Sequence, residues 1–191
     1  MPLHYMEDEL KPGVLLISEP FLEGSAFHRS VVLLCEHEEG SGSIGFVMNK
    51  PSNLNLGDLV NGLDFLDAEV FVGGPVEQNK LHFIYFGVQL MEESKHLGDG
   101  VWWGGGFTTL VQLLNSGKLN LSQVRFFLGY SGWSPGQLEE ELSEKTWIVY
   151  SESFVQELFE NTAEQLWRSL MKRLGGEFEI QSNYPTDPRL N

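Results

Sequence analysis

Apolar residues fall in short runs over the first half of the chain and at helical spacing over much of the second. Val14–Ser18, Ser30–Glu36 and Ile44–Asn49 are rich in Val, Ile, Leu and Phe and are bounded by Gly, Pro and Ser, so each predicts a strand. Val31 to Leu34 is apolar without alternation, the pattern of a strand covered on both faces. Glu38–Ser43 reads as the turn of a hairpin between the second and third strands. Asn55 is placed to cap a short helix through Leu56, Leu59 and Val60. Val70–Val72 predicts a short strand stopped by Gly73-Gly74-Pro75, and Leu81–Phe86 another strand. Gly98–Gly106 carries Val101-Trp102-Trp103 between glycines and fits either a strand or an exposed loop.

Phe107, Leu110, Val111 and Leu114 then recur at helical spacing, with Gly117 as a stop. Val124–Tyr130 predicts a strand and Ser134-Pro135-Gly136-Gln137 a helix start, with Ser134 as N-cap. Thr146–Tyr150 is a further strand, and Ser153 with Gln156 reads as a capping box. Asn161 and Glu164 open a last helix whose apolar face is Leu166, Trp167, Leu170, Met171 and Leu174, ended by Gly175-Gly176. Strands and helices do not alternate strictly, so the pattern predicts α+β with a mixed or antiparallel sheet. The expected domain spans residues 13–180, after an N-terminal extension (1–12) and before an irregular tail (181–191).

Composition narrows the setting. The single Cys35 forbids an internal disulfide. The acidic start lacks a signal-peptide core, and no apolar run approaches the length that spans a bilayer, so a cytoplasmic location is expected. Twelve Lys and Arg face 27 Asp and Glu, a net charge of −15, and both halves of the chain are acidic. Such a surface repels phosphate backbones, which argues against direct nucleic-acid binding.

Candidate chemistry is sparse. Cys35 and His37 sit two apart near a strand end and are expected on one face, a thiol–imidazole arrangement. The plainer reading makes Cys35 a small buried apolar residue. His28, Glu36, His37 and His82 lack the spacing of a metal motif. Gly129-Tyr130-Ser131-Gly132-Trp133 resembles a nucleophile elbow, but Trp133 stands where glycine is needed. No catalytic residue, metal ligand or cofactor is assigned. Trp102 and Trp103 are adjacent, so in a strand they face opposite ways.

The stretch LLISEPFLEGSAFHRSVVLLCEHEEGSGSIGFVMNKP resembles the start of the bacterial YqgE/AlgH family. It shares the Pro after a leucine-rich strand, the Cys35-Glu36-His37 triplet, a glycine-bearing turn and Asn49-Lys50-Pro51. Gly73-Gly74-Pro75-Val76, Leu128–Trp133 followed by Gly136–Glu141, and Trp147 extend the match over about residues 13–170. The resemblance implies a single-domain α+β protein with a large mixed, mostly antiparallel β-sheet flanked by helices. It also carries the label of transcriptional regulator, from a link to alginate gene expression, and supplies no catalytic residues. The expected function is a non-enzymatic module that binds a small ligand or a protein partner and regulates indirectly. The alternatives are an enzyme using Cys35 or a histidine-based site, and a direct DNA-binding regulator. Polar groups at strand ends beside glycine turns make pockets, which selects His28, Arg29, Asn49, Lys50, Gly73, Gly74 and Pro75 as the candidate ligand site.

Overall fold

The strands predicted at Val14–Ser18, Ser30–Glu36 and Ile44–Asn49 form β1 (Leu15–Ser18), β2 (Val31–Glu38) and β3 (Gly42–Val47), which pair antiparallel in that order, with the Glu39–Ser41 turn joining β2 to β3. The computed structural model describes residues 10–22, 25–61, 63 and 66–184. Residues 1–9 of the expected extension and 185–191 of the expected tail lie outside them. The remaining strands are β4 (Pro51–Asn55), β5 (Glu69–Val72), β6 (Val76–Phe86), β7 (Lys95–Gly98), β8 (Val101–Trp103), β9 (Val124–Trp133) and β10 (Trp147–Tyr150). Helices are α1 (Leu56–Leu59), α2 (Phe107–Asn115), α3 (Gln137–Ser143), α4 (Val155–Glu160), α5 (Ala163–Leu174) and α6 (Gly176–Ser182).

The strands form one sheet in the order β10-β1-β2-β3-β9-β6-β8-β7, with β4 and β5 as a branch. All pairings are antiparallel except β5 on β9, so the sheet is mixed and the protein is a single-domain α+β fold, as expected. The long strand β9 holds the two halves together. Its first half lies between β5 (Phe71↔Phe127) and β6 (Phe83↔Phe126), and its last residues pair with β3 (Gly45↔Ser131).

For β3 and β5 to share one edge of β9, the chain leaving β5 must pass against β9 without side chains. Gly73 and Gly74 permit this. A Cβ on Gly73 would stand 2.4 Å from the Gly129 carbonyl oxygen, and one on Gly74 2.2 Å from the Tyr130 carbonyl carbon. The Gly73 carbonyl accepts from Val47 N and from the Ser131 hydroxyl, and the Gly73 amide donates to Leu128 O, which closes the seam.

The sheet also curls. Lys95 on β7 reaches Glu36 on β2 at 3.0 Å, and Leu97 presses on Gly13 beside β1. The inner face carries the main core: Leu15, Leu33, Cys35, Phe46, Phe127, Ile84 and Val101, closed by Trp167 and Leu170 of α5. On the outer face Leu16, Val32, Leu34 and Trp133 pack with Leu138 and Leu142 of α3, and Phe83, Tyr85 and Phe126 pack with Leu110 of α2. Apolar runs such as Val31–Leu34 lack alternation because both faces are covered.

Several local expectations shift. Ser134–Gln137 is a Pro-Gly turn, with Gly136 left-handed at φ 79° and Gln137 N bonded to Ser134 O, so α3 begins at Gln137 and Ser134 is not its N-cap. The capping box expected at Ser153 and Gln156 does not form: α4 starts behind Phe154 with no side-chain cap bond. The box on α5 belongs to Thr162 and Gln165, and Asn161 ends α4 instead. Strand β9 continues through Trp133, so Ser131 lies inside a strand. β4, β7, the first half of β6 and α6 were not signalled by apolar periodicity; they are short or polar and take their shape from neighbouring elements. Leu10, within the expected N-terminal extension, is buried against the outer face.

Gly74→Ala is expected to cost roughly 3 kcal/mol or more, because backbone must move on both sides of the seam. Gly136→Ala, with open space around it, should cost only about 1–2 kcal/mol of left-handed strain. Equilibrium urea unfolding of both variants checks the contrast, and equal losses would contradict the seam.

Candidate functional site

Four of the predicted residues meet in one cavity. The loop from Ser25 to Ser30 turns twice, through His28 N to Ser25 O and Ser30 N to Phe27 O, and leaves Arg29 left-handed at φ 48°. The Asn49 side chain locks this loop to the end of β3. Its Oδ1 accepts from Val31 N and its Nδ2 donates to Arg29 O, both at 2.9 Å, and the residue is 7 % exposed. Lys50 Nζ donates to His28 O at 2.7 Å. Opposite stands the N-terminal half of α5, fixed by Trp167 Nε1 donating to Ser18 O at 2.9 Å. Ser18 also binds the loop, since its hydroxyl accepts from Ser30 N. Strand end, loop and helix are thus held by hydrogen bonds that leave a cavity of ≈ 570 Å³ between them. His28, Arg29, Asn49, Lys50 and Pro51 line one side and Glu164, Trp167 and Arg168 the other.

The cavity is cationic. The Arg29 guanidinium lies 5.0 Å from the Trp167 ring centroid and donates to Tyr184 O. Burial, and then the nearby Arg168, lower the Arg29 pKa from its ordinary value. Burial lowers Lys50 likewise. Arg168 Nε donates to Ser182 O at 3.0 Å. Buried on its Nδ1 side, His28 has no partner there among the described residues.

Gly73, Gly74 and Pro75 are not part of this cavity. Gly73 and Gly74 form the β5–β9 seam, and their place in the chain's motif is explained by backbone contact. Trp167 and Arg168 were missed as site residues. In the sequence Trp167 reads as part of an apolar helix face, and nothing in the local pattern places it or Arg168 opposite Asn49.

The other candidates separate. β2 has a bulge between Leu34 and Glu36, so the pairing parity changes there: Leu34 faces Gly45, yet Glu36 faces Ile44. Cys35 therefore points into the inner core, while His37 lies with Ser43 on the opposite face, its Nδ1 2.9 Å from the Ser43 hydroxyl. The expected shared face of Cys35 and His37 does not exist. Complete burial pushes the Cys35 thiol well above its ordinary pKa, which suits an apolar residue and not a thiolate. Ser131 is fully buried and donates to Gly73 O, without the exposure an elbow nucleophile has. Glu36 pairs with Lys95, and His82 packs on Phe46 and Tyr130. Among the described residues no three His, Cys, Asp or Glu side chains gather as a metal site would require. Glu141 accepts from the indoles of Trp133 and Trp147 at 2.9 and 2.7 Å, a structural role for the acidic run after Gly136. Trp102 and Trp103 do face opposite ways, Trp102 stacking on Tyr85 and Trp103 edge-on to Phe46. No helix among the described residues is long and apolar enough to cross a membrane.

Comparison with known proteins matches residues 15–179 to a family described as AlgH-like. A UPF0301 protein of Cytophaga hutchinsonii is 42% identical over 95% of this chain and 100% of its own length. One of Chlorobium limicola is 38% identical over 96% of this chain and 97% of its own. The solution structure of the AlgH protein from Pseudomonas aeruginosa superposes with a TM-score of 0.70 at 25% identity, covering 97% of this chain and 96% of that one. A crystal structure of a Corynebacterium diphtheriae protein gives 0.72 at 20% identity over 96% of this chain and 100% of that chain.

Removing the Asn49 bridge leaves a buried N–H and a carbonyl unpaired, so Asn49→Ala should cost roughly 2–3 kcal/mol, measured by thermal or urea unfolding. The thiol test has its sign fixed by burial. Folded Cys35 keeps its proton above pH 9.0, the thiol's ordinary value, while the unfolded chain loses it, so its contribution to stability falls as pH rises beyond that point. At pH 7 the native thiol should react with a disulfide reagent only on unfolding, and rapid native labelling would show the burial to be wrong.

Proposed function

We propose that this chain, which belongs to the AlgH-like family, is a non-enzymatic module that binds a small ligand in the cavity between the Asn49–Lys50 turn and α5. Its regulatory role is indirect: ligand occupancy, and not contact with DNA, is the signal. The observation that supports this best is the convergence of His28, Arg29, Asn49 and Lys50, four residues from two separate segments, on one cavity walled by α5. The Asn49, Lys50 and Arg29 side chains are positioned by hydrogen bonds to backbone, so this part of the cavity is pre-formed, which lowers the cost of binding. Burial of Cys35 and Ser131 weighs against the enzyme alternatives built on them. The net charge of −15 weighs against the DNA alternative.

A protein partner is the second reading, and one observation favours it. Phe21, 59 % exposed, meets the Tyr184 ring at 5.6 Å, and Arg29 links Tyr184 to the cavity. This apolar pair stands where a partner could sense the cavity's state.

The test is a metabolite panel read by amide chemical-shift mapping on the intact protein. A binder should perturb residues 28–31, 49–51 and 163–168 together. Perturbation confined to other surfaces would move the site and defeat the reading. In parallel, fluorescence anisotropy with duplex DNA at low salt should show no saturable binding. A saturable, salt-sensitive isotherm would restore the DNA-binding alternative.

A further inference from the structure

Lys50 differs from the other six lysines in its surroundings. Those six are exposed, whereas Lys50 is half-buried and lines the cavity of ≈ 570 Å³. Its Nζ donates to His28 O at 2.7 Å. A carbonyl oxygen accepts from a neutral amine as well as from an ammonium, so this bond fixes the nitrogen's position without fixing its charge. Lys80 shows the other arrangement: Glu77 at 2.7 Å holds its ammonium and raises its pKa. Lys50 has no ion pair among the described residues, and burial lowers its pKa from the ordinary value. The backbone that carries it is tied on both sides. Val72 N donates to Lys50 O, and the Asn49 side chain bridges Val31 N and Arg29 O.

We propose that Lys50 Nζ is a covalent anchor, which takes a small aldehyde or ketone into the cavity as a reversible imine. This deepens the ligand-binding reading and rests on it. The free amine is the reacting form, and its share at neutral pH grows about tenfold for each unit by which a lysine's pKa falls. The Nζ lone pair forms a bond to the carbonyl carbon, and the C=O π pair moves to oxygen. One proton passes from nitrogen to that oxygen, which gives a carbinolamine. The hydroxyl then leaves as water with the remaining nitrogen proton, while the nitrogen lone pair closes the C=N bond. Nothing is oxidised or reduced, and water reverses each step. The imine is therefore a binding event without turnover, in keeping with a non-enzymatic module. The cavity's volume suits a small molecule, and Gln165 and Arg168 on the opposite wall offer hydrogen-bonding groups to the rest of it.

The experiment mixes the full chain at pH 7 with limiting propanal or pyruvate and sodium cyanoborohydride, which reduces an imine to a stable amine. Peptide mass mapping gives the rate at each lysine, with the α-amino group scored separately. With at least one probe, Lys50 should be modified about tenfold or more faster than any of the six exposed lysines, as a fall of one unit in lysine pKa implies. A faster reaction with propanal assigns an aldehyde ligand, and one with pyruvate a 2-keto acid. In urea the unfolded chain should show Lys50 at the rate of the other lysines. Lys50→Arg keeps a cation beside His28 O and should lose the fast adduct while the slow labelling of the exposed lysines stays as it was. Should that variant fail to fold, the comparison of native and urea-unfolded wild-type chain decides alone. A Lys50 modified no faster than the exposed lysines by both probes, or a fast rate that persists in urea, overturns the inference. If the metabolite panel finds a binder that perturbs residues 28–31 and 163–168 while Lys50 resists both probes, the cavity remains a ligand site and only the covalent anchor is wrong.

Discussion

The close passage of Gly73 and Gly74 across β9 is the constraint on which the rest of the molecule depends. β9 must serve β5, β6 and β3, and it can do so only where the chain leaving β5 brings no side chain to the contact. Once the seam is closed, β3 is fixed relative to the far half of the sheet. The curl that brings Lys95 to Glu36 then encloses one apolar interior. The backbone hydrogen bonds at Gly73 are buried and paired, so the seam leaves no unsatisfied group to compensate elsewhere.

The cavity follows from where that seam places the end of β3. Val47 bonds to Gly73 O, and Met48 N bonds to Val31 O, so Asn49 emerges beside the start of β2. Its amide then serves two backbone groups of the β1–β2 connection at once. Lys50 is carried to His28 O by the same turn, and Val72 N on Lys50 O ties the far side of the turn to β5. Helix α5 completes the wall because its apolar face closes the interior while Arg168, one position beyond Trp167, looks into the gap. The Trp167 indole, bonded to Ser18 O, sets the depth at which the helix sits. Arg125, half-buried, has its pKa lowered to about 10 by burial and donates to Met48 O and Leu158 O against the Phe71 ring, a staple between sheet and α4.

Much of this is legible in the sequence. The apolar runs at Leu15, Val31–Leu34 and Phe46, the hairpin turn at Glu38–Ser43, the Asn55 cap and the apolar stripe of α5 are local patterns, and local backbone preference decided them. The same holds for the choice of His28, Arg29, Asn49 and Lys50, polar groups at strand ends beside turns. What misled was also local. Alternation placed Cys35 and His37 on one face, because a bulge is a property of the paired strand and leaves no mark on the single one. Ser134 read as a helix cap because a Pro-Gly turn and a helix start share their first residues. Gly73 and Gly74 read as a loop beside a ligand because a glycine needed for contact looks like one needed for a turn.

The sequence by itself therefore determined the elements, the α+β class and half of the cavity's wall, since those depend on neighbours along the chain. Only the tertiary structure decided that Arg168 and Trp167, more than a hundred residues from Asn49 in the chain, line the same cavity as it does. It also decided that the glycines join strands, and that Lys50 and Arg168 rest on carbonyls. These depend on which strand lies beside which, a choice set by long-range hydrogen bonding and by the shared burial of one interior.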